Sequence, residues 1–210
     1  MIVRQLDQNS GKLPDIETPC GFDMIAGDGV QPYGTGKVSD FIVSLKLDIR
    51  KHLGLDYQGS LVFPNPGDGV ILYPVRLRFR VSELRLPAEA PMGGYQSSFA
   101  WNVLFGSEPS KYADTAAPRV PGPKDRNFED DNYFIRVRTK KSEDGTVSGI
   151  YGKIHGQIKL GIGAINDISV PADAKPSVQL LYYLNPDESR HLEWDKVHNL
   201  ANDSEVPREP

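Results

Sequence analysis

The sequence has little of three features that would identify a class of protein: cysteine, long apolar runs and helical periodicity. Cys20 is the only cysteine in 210 residues, which excludes an internal disulfide and a multi-cysteine zinc site. No window approaches the roughly eighteen consecutive apolar residues of a membrane-spanning helix, and residues 1–20 lack the basic cluster and apolar run of a secretory signal. The compartment is left open: the cytoplasm, or secretion with the leader removed.

Alternating apolar and polar residues predict strands instead. In residues 41–50, Phe41, Val43 and Leu45 alternate with polar side chains, the pattern of a strand with one solvated face. Comparable segments, separated by Gly- and Pro-rich turns, lie at 61–63, 70–86 (with a break at Pro74), 97–106, 132–161 and 177–186. About seven or eight strands with almost no helical period predict an antiparallel β-sandwich or jelly roll.

The chain divides into three parts by this pattern. Residues 1–36 have no sustained period and predict an irregular arm, residues 37–186 form the β domain, and residues 187–210 are a tail with room for a short helix. Within the domain, residues 106–131 carry four prolines and predict a long loop. The glycine-rich stretches at 26–29 and 33–37 are interpreted as turns, because neither joins a strand to a helix as a phosphate-binding loop does.

Residues 132–161 predict a hairpin around Asp144 and Gly145. With these two as a type I′ turn, positions whose numbers sum to 289 face each other. Five cross-strand pairs and one further contact follow: Ile135 with Ile154, Val137 with Gly152, Phe134 with His155, Arg136 with Lys153, Arg138 with Tyr151, and Tyr133 over Gly156.

Positive charge is concentrated in two segments. Residues 70–86 have a balance of +3 and residues 133–160 one of +4, whereas the whole chain is −4, so the remaining residues total −11. Alternation places the arginines of both segments on the face opposite the apolar side chains. If the segments share a sheet, that face is cationic and carries aromatic neighbours.

This face predicts a ligand-binding surface composed of Arg76, Arg78, Arg80, Arg136, Arg138, Tyr151, Lys153 and His155. Guanidinium groups hold carboxylate, sulfate or phosphate through paired oxygens, so the predicted partner is an anionic glycan, or else another protein. The competing interpretation is a solvated face that serves solubility, neutralised by acidic loops. Nucleic acid is disfavoured because the other surfaces would repel a long polyanion.

Two other functions stay open beside this non-enzymatic binding module. An enzyme acting on acidic polysaccharide could use Tyr151 and His155 for proton transfer with Arg136 as electrostatic support. A structural subunit could use the arm and the tail as contacts. No metal or cofactor is predicted: His191, Asp195 and His198 would share one helical face but lack a stronger motif, and the acidic run at 129–131 lacks the glycine and spacing of a calcium loop.

Overall fold

The computed structural model describes residues 2–6, 18–50, 54–74, 86–105, 131–162 and 176–193. These residues are all-β and contain no helix. The ten strands are β1 (Ile2–Leu6), β2 (Cys20–Asp23), β3 (Asp28–Gly29), β4 (Phe41–Arg50), β5 (Gly54–Val62), β6 (Gly69–Leu72), β7 (Ser98–Phe105), β8 (Tyr133–Lys141), β9 (Val147–Ile162) and β10 (Pro176–Asn185).

The strands form two antiparallel sheets of five strands each. The first sheet has the order β1, β10, β9, β8, β6, and the second has the order β3, β2, β4, β5, β7. Side-chain alternation explains the second sheet: in β4, Phe41, Val43 and Leu45 are buried while Lys46 is exposed. The strands predicted over residues 41–50, 97–106 and 177–186 are confirmed within one or two residues.

One hydrophobic cluster draws on both sheets. The second sheet contributes buried residues from β2, β4 and β5, and the first contributes them from β6, β8, β9 and β10. The Tyr182 hydroxyl of β10 donates a hydrogen bond to the Met24 carbonyl beyond β2 (2.7 Å), and the rings of Phe99 and Tyr133 meet edge to face across the sheets. The sheets are therefore held against each other by a shared core.

Two expectations about the ends of the chain need correction. The first 36 residues are not a wholly irregular arm, since they contain β1, β2 and β3, and β1 pairs with β10 from Ile2 opposite Leu184 to Leu6 opposite Leu180. No helix begins at Pro186, because residues 186–193 form turns and an isolated bridge. The predicted loop at 106–131 and the tail beyond residue 193 lie outside the described residues, except for Asp131.

The β8–β9 hairpin has a different register from the predicted one. Its loop has three residues rather than two: the Gly145 amide donates to the Ser142 carbonyl, the Ser142 amide donates to the Thr146 carbonyl, and Gly145 has a φ of 85°. Lys141 therefore pairs with Val147, a shift of one residue.

A β-bulge shifts the register by a second residue. The ladder is interrupted between Val137 and Lys140, where Arg138 has a φ of 55°. Beyond the bulge Arg136 pairs with Tyr151, so the predicted pairing of Arg136 with Lys153 is wrong and no like-charge pair forms there. All the other predicted pairs are wrong for the same reason, and Tyr133 pairs with Ile154 instead of lying over Gly156.

We predict that Gly152→Ala destabilises the fold by about 1 to 3 kcal/mol, because the added methyl overpacks the core. A Cβ atom at Gly152 would meet the Tyr183 carbonyl oxygen, the Leu184 Cδ2 atom at 2.7 Å and the Ile135 Cγ1 atom at 3.1 Å. Gly93→Ala is the matched control, since no heavy atom lies within 4 Å of its Cβ position. Urea unfolding should give equal free energies for Gly93→Ala and wild type; an equally small effect of Gly152→Ala would contradict the packing.

Candidate functional site

The described part of the predicted cationic face is covered rather than open. Arg136, Tyr151 and Lys153 are 9%, 4% and 3% exposed, and His155 is half-buried. They lie on the side of the first sheet that faces away from the shared core. Arg76, Arg78 and Arg80 lie outside the described residues, so their part of the prediction stays a prediction.

A segment that we call the strap, residues 86–96, covers this face. Leu86 and Ala90 of the strap pack with Phe134, Tyr151 and Leu192 in a second hydrophobic cluster. The strap also forms backbone hydrogen bonds: Ala90 to the Arg190 carbonyl, Leu192 to the Ala88 carbonyl, and a reciprocal pair between Val70 and Gln96. Apolar side chains on the outer face of β8 and β9 thus support an additional layer of chain.

Arg136 of β8 holds the strap against the first sheet. Its Nε and one terminal nitrogen donate to the Gly67 carbonyl (2.8 and 2.5 Å), and the other terminal nitrogen donates to the Met92 carbonyl (3.1 Å). The guanidinium lies over the Tyr95 ring at 4.4 Å, and the Tyr95 hydroxyl donates to the Pro91 carbonyl. These contacts give the Arg136 side chain a structural role.

Lys153 is a second cation beneath the strap. Its Nζ donates to the Leu86 carbonyl at 3.2 Å. Burial lowers the pKa of Lys153 to about 8, although the charge of the Glu193 carboxylate opposes the shift. The amine is therefore enclosed by the strap and partly neutral in mildly alkaline solution.

Arg138 belongs to an ion cluster that joins the two sheets. Its guanidinium donates to Asp23 Oδ1 (2.7 Å) and to both oxygens of Asp40 (2.8 and 3.0 Å), which belong to the second sheet or precede its strand β4. The Asp68 carboxylate accepts the backbone amides of Arg138 (2.8 Å) and Thr139 (2.7 Å), which fixes the bulge. All three carboxylates are buried.

The ion cluster perturbs its own protonation equilibria. For Asp23, burial raises the pKa, but hydrogen bonds from three backbone amides and the charge of Arg138 outweigh it, and the pKa is lowered. For Asp40, burial dominates and the pKa is raised, although Arg138 and the Met24 amide oppose the shift. Hydrogen bonding to Asp40 raises the pKa of Arg138, which keeps the guanidinium charged.

The residues proposed for catalysis do not form an open cleft. Arg136 and Tyr151 are cross-strand partners on one face, but Tyr151 is buried in the second hydrophobic cluster. Burial raises the pKa of the Cys20 thiol, which makes it a poor nucleophile. In the parts of the chain that the structure describes, no three His, Cys, Asp or Glu side chains are grouped so as to hold a metal; Asp195 and His198 lie outside them.

A fixed loop between β3 and β4 was not predicted as a functional element. In this tyrosine loop, residues 30–39, the Gly36 amide donates to the Gly29 carbonyl and the Tyr33 amide to the Val30 carbonyl. The Asp28 carboxylate accepts the Thr35 amide and hydroxyl, both at 2.8 Å. Burial raises the pKa of Asp28, but hydrogen bonds from Thr35 and Gly29 outweigh it and lower the pKa, so the anchor stays ionised.

The Asp23 carboxylate anchors the C-terminal end of the tyrosine loop, since its Oδ2 accepts the amides of Lys37 (3.0 Å) and Val38 (3.1 Å). The two carboxylates thus hold the backbone of the loop, and several of its side chains are exposed. Those exposed are Gln31, Pro32, Tyr33, Thr35, Lys37 and Val38, with Tyr33 at 47%.

The outer face of the second sheet differs from that of the first. Ser44, Ser60 and Ala100 are half-buried small residues in adjacent strands, and Lys46 and Val62 beside them are exposed. No second hydrophobic cluster forms on this side within the described residues. Among the residues that the structure describes, the outer faces of the two sheets are thus unequal: the strap covers that of the first sheet, and no comparable segment covers that of the second.

Comparisons of the chain with protein-family models, with curated proteins and with solved structures gave no match. Within the described ranges, no helix has the length and apolar character needed to cross a membrane.

We predict that Arg138→Met destabilises the fold by roughly 3 to 5 kcal/mol, because Asp23 and Asp40 would keep buried charges without their cation. Lys140→Met removes a cation from the same strand, but Lys140 is exposed and its pair with Glu188 lies at the surface, so the expected change is below about 1 kcal/mol. Denaturant unfolding at neutral pH compares the two variants. Equal losses would show that the ion cluster contributes no more than a surface pair.

The stability of the protein should also depend on Lys153 in alkaline solution. Because the folded-state pKa is about 8 and the ordinary value is 10.5, the unfolded chain binds more protons between these values, and stability rises with pH there. From pH 7.5 to 9.5 the gain should be about 1 to 2 kcal/mol. Lys153→Met should abolish the rise, whereas Lys141→Met, at an exposed position, should keep it. Urea unfolding at both pH values tests this; a rise that persists in Lys153→Met contradicts it.

Proposed function

We propose that the protein is a non-enzymatic β-sandwich module that binds an acidic carbohydrate through the tyrosine loop. The observation that carries this proposal is the loop's construction: two ionised carboxylates and several backbone hydrogen bonds hold residues 30–39. Of the exposed side chains of the loop, only that of Thr35 has a structural role in the described contacts, since its hydroxyl donates to Asp28. The shared core and the Arg138 ion cluster between the sheets support the sandwich arrangement.

Rigidity of the tyrosine loop favours a binding role. A loop that is already ordered loses little conformational entropy when a ligand binds, and tyrosine offers a large contact area with few rotatable bonds. Tyr33 is 47% exposed and follows the exposed Pro32. Connecting segments fixed on a rigid scaffold are common binding elements.

The side chains of the tyrosine loop suit an acidic sugar. An aromatic ring such as that of Tyr33 packs against the apolar C–H face of a sugar, and the ammonium group of Lys37 can pair with its carboxylate or sulfate. Gln31 and Thr35 add hydrogen-bonding groups. The overall charge of −4 favours a local anionic group on a glycan over a long polyanion such as nucleic acid.

The tyrosine loop supports binding better than the cationic face does. Arg136 and Lys153 are buried and already donate to carbonyls of the strap or of Gly67, so a ligand would have to displace the strap to reach them. Tyr151 is buried under the strap as well. The alternative function, an enzyme acting on acidic polysaccharide, could therefore use Tyr151 only after the strap was displaced. No contact in the described residues specifically favours the structural-subunit alternative.

Affinity electrophoresis in gels containing polygalacturonate, alginate, hyaluronate or heparin tests the proposal, with neutral dextran as the reference polymer. We expect at least one acidic polymer to retard the wild-type protein. Tyr33→Ala and Lys37→Ala should each weaken this retardation at least fivefold, because they remove the stacking surface and the cation.

Two variants control for the loss of an exposed side chain elsewhere. Tyr73→Ala removes a tyrosine that is 39% exposed, and Lys141→Ala removes an exposed lysine; both lie outside the tyrosine loop. Neither should alter retardation once circular dichroism shows that the variants are folded. Absence of retardation in all four polymers, or retardation that survives both loop substitutions, would exclude this function.

A further inference from the structure

Two buried cations on the outer face of the first sheet have no anionic partner among the described residues. Every hydrogen bond that the charged groups of Arg136 and Lys153 donate there ends on a neutral backbone carbonyl. None of the ion pairs in the described ranges includes either side chain. A buried charge without a counter-ion lowers the stability of a fold, so this face is a place where a bound anion would be favourable.

Neighbouring groups compensate these charges only in part. The charge of Glu193 acts on Lys153, but Glu193 is exposed and lies 3.4 Å from His191 Nε2, and burial still lowers the pKa of Lys153 to about 8. Arg136 lies against the neutral ring of Tyr95. Charged groups that break the usual rules of burial are expected mainly at functional sites.

The two cations are neighbours on one face of the sheet. Arg136 pairs with Tyr151 and Phe134 pairs with Lys153 across β8 and β9, so Arg136 and Lys153 are diagonal neighbours, about 7 to 8 Å apart. Both side chains are long, so their nitrogen atoms can converge on one group. A carboxylate, sulfate or phosphate has enough oxygens to accept hydrogen bonds from both cations at once.

The strap supplies carbonyl oxygens in the place of anion oxygens. The Met92 carbonyl accepts from a terminal nitrogen of Arg136, and the Leu86 carbonyl accepts from Lys153 Nζ. A carbonyl oxygen has only a partial charge, whereas an oxyanion forms stronger, charge-assisted bonds with the same donors. The Gly67 carbonyl is not part of the strap, and its two bonds keep the Arg136 guanidinium in position when the strap is absent.

Contacts separate from the shared core attach the strap to the sheet. The strap packs in the second hydrophobic cluster, and Arg190 donates to the Ala90 carbonyl and pairs with Glu89. Next to these contacts, Gly93 and Gly94 are exposed, and a Cβ atom at Gly93 would have no heavy atom within 4 Å. The backbone therefore has room to turn at these two glycines, as a hinge requires.

We propose that the face beneath the strap is a covered binding site for an oxyanion, which Arg136 and Lys153 hold between them when the strap is displaced. This site goes beyond the proposed function and does not involve the tyrosine loop. The strap acts as an internal competitor, because the free energy needed to displace it is subtracted from the affinity of the anion. A bound anion repays part of this cost by giving the two buried cations their counter-ion.

Isothermal titration with inorganic phosphate, sulfate and acetate, at constant ionic strength, tests the site in a variant with a loosened strap. Arg190→Gln removes the side-chain bonds from Arg190 to Glu89 and to the Ala90 carbonyl. This variant should bind at least one of the three anions at least fivefold more tightly than wild type does, because the strap is displaced at lower cost. Loss of a cation would by itself weaken anion binding, so the change in charge cannot produce this result.

Removal of a cation in the Arg190→Gln background shows where the anion binds. Adding Lys153→Met should lower the affinity at least tenfold, and the apolar side chain of similar length suits the buried position. Adding Lys141→Met, which removes an exposed lysine, should leave the affinity within twofold. Equal affinity of wild type and Arg190→Gln, absence of binding in both, or tight binding that survives Lys153→Met would overturn the site.

Amide hydrogen exchange shows whether the strap moves. Saturating anion should speed exchange of the Ala90 and Leu192 amides of Arg190→Gln at least fivefold, because the backbone bonds that they make between the strap and residues 190–192 would break. The Asp40 amide, which donates to the Phe22 carbonyl, should keep its rate. Binding that leaves the Ala90 and Leu192 amides unchanged or slows them would place the anion on the outer surface and overturn the covered site.

Discussion

The structure depends on the ion pairs that Arg138 makes across the two sheets. At the bulge in β8, Arg138 adopts a positive φ that is uncommon for an arginine. Asp23 of the opposite sheet and Asp40, which precedes β4 of that sheet, hold its guanidinium. Asp23 has a double role, because its other oxygen accepts the amides that fix the end of the tyrosine loop. The Asp23 carboxylate thus joins the sheets through one oxygen and orders the proposed binding loop through the other.

The two outer faces show how charge and burial are separated in this fold. On the first sheet, cationic side chains lie under the strap and satisfy its backbone carbonyls, so a segment without regular structure gains fixed partners. On the second sheet, small polar residues face outward and no strap lies over them in the described residues. Arg136 and Lys153, which were predicted to bind a ligand, instead donate hydrogen bonds to the strap, and the proposed recognition site is the tyrosine loop.

Local patterns predicted the strands but not their partners. The alternation in β4 could be read directly, because each side chain's direction follows from its neighbours. The hairpin register could not be predicted in full. One of its two shifts comes from the bulge, which depends on Asp68, Asp40 and Asp23, and these are 70, 98 and 115 residues distant from Arg138 in sequence. Burial of the cationic face had one visible signal: Phe134 and Tyr151 were expected on that face, and large aromatic residues there indicate a further layer of chain. The fixed conformation of the tyrosine loop gave no such signal, since its glycines resemble those of any turn.

The bulge has an evolutionary consequence. The Asp68 carboxylate and the shared core, rather than the hairpin tip, set the register of the strand residues that lie beyond the bulge as seen from the tip. Insertions or deletions at the tip would therefore be absorbed before they reached Arg136 and Tyr151, and the hairpin could change length among descendants while the surface beneath the strap kept its alignment.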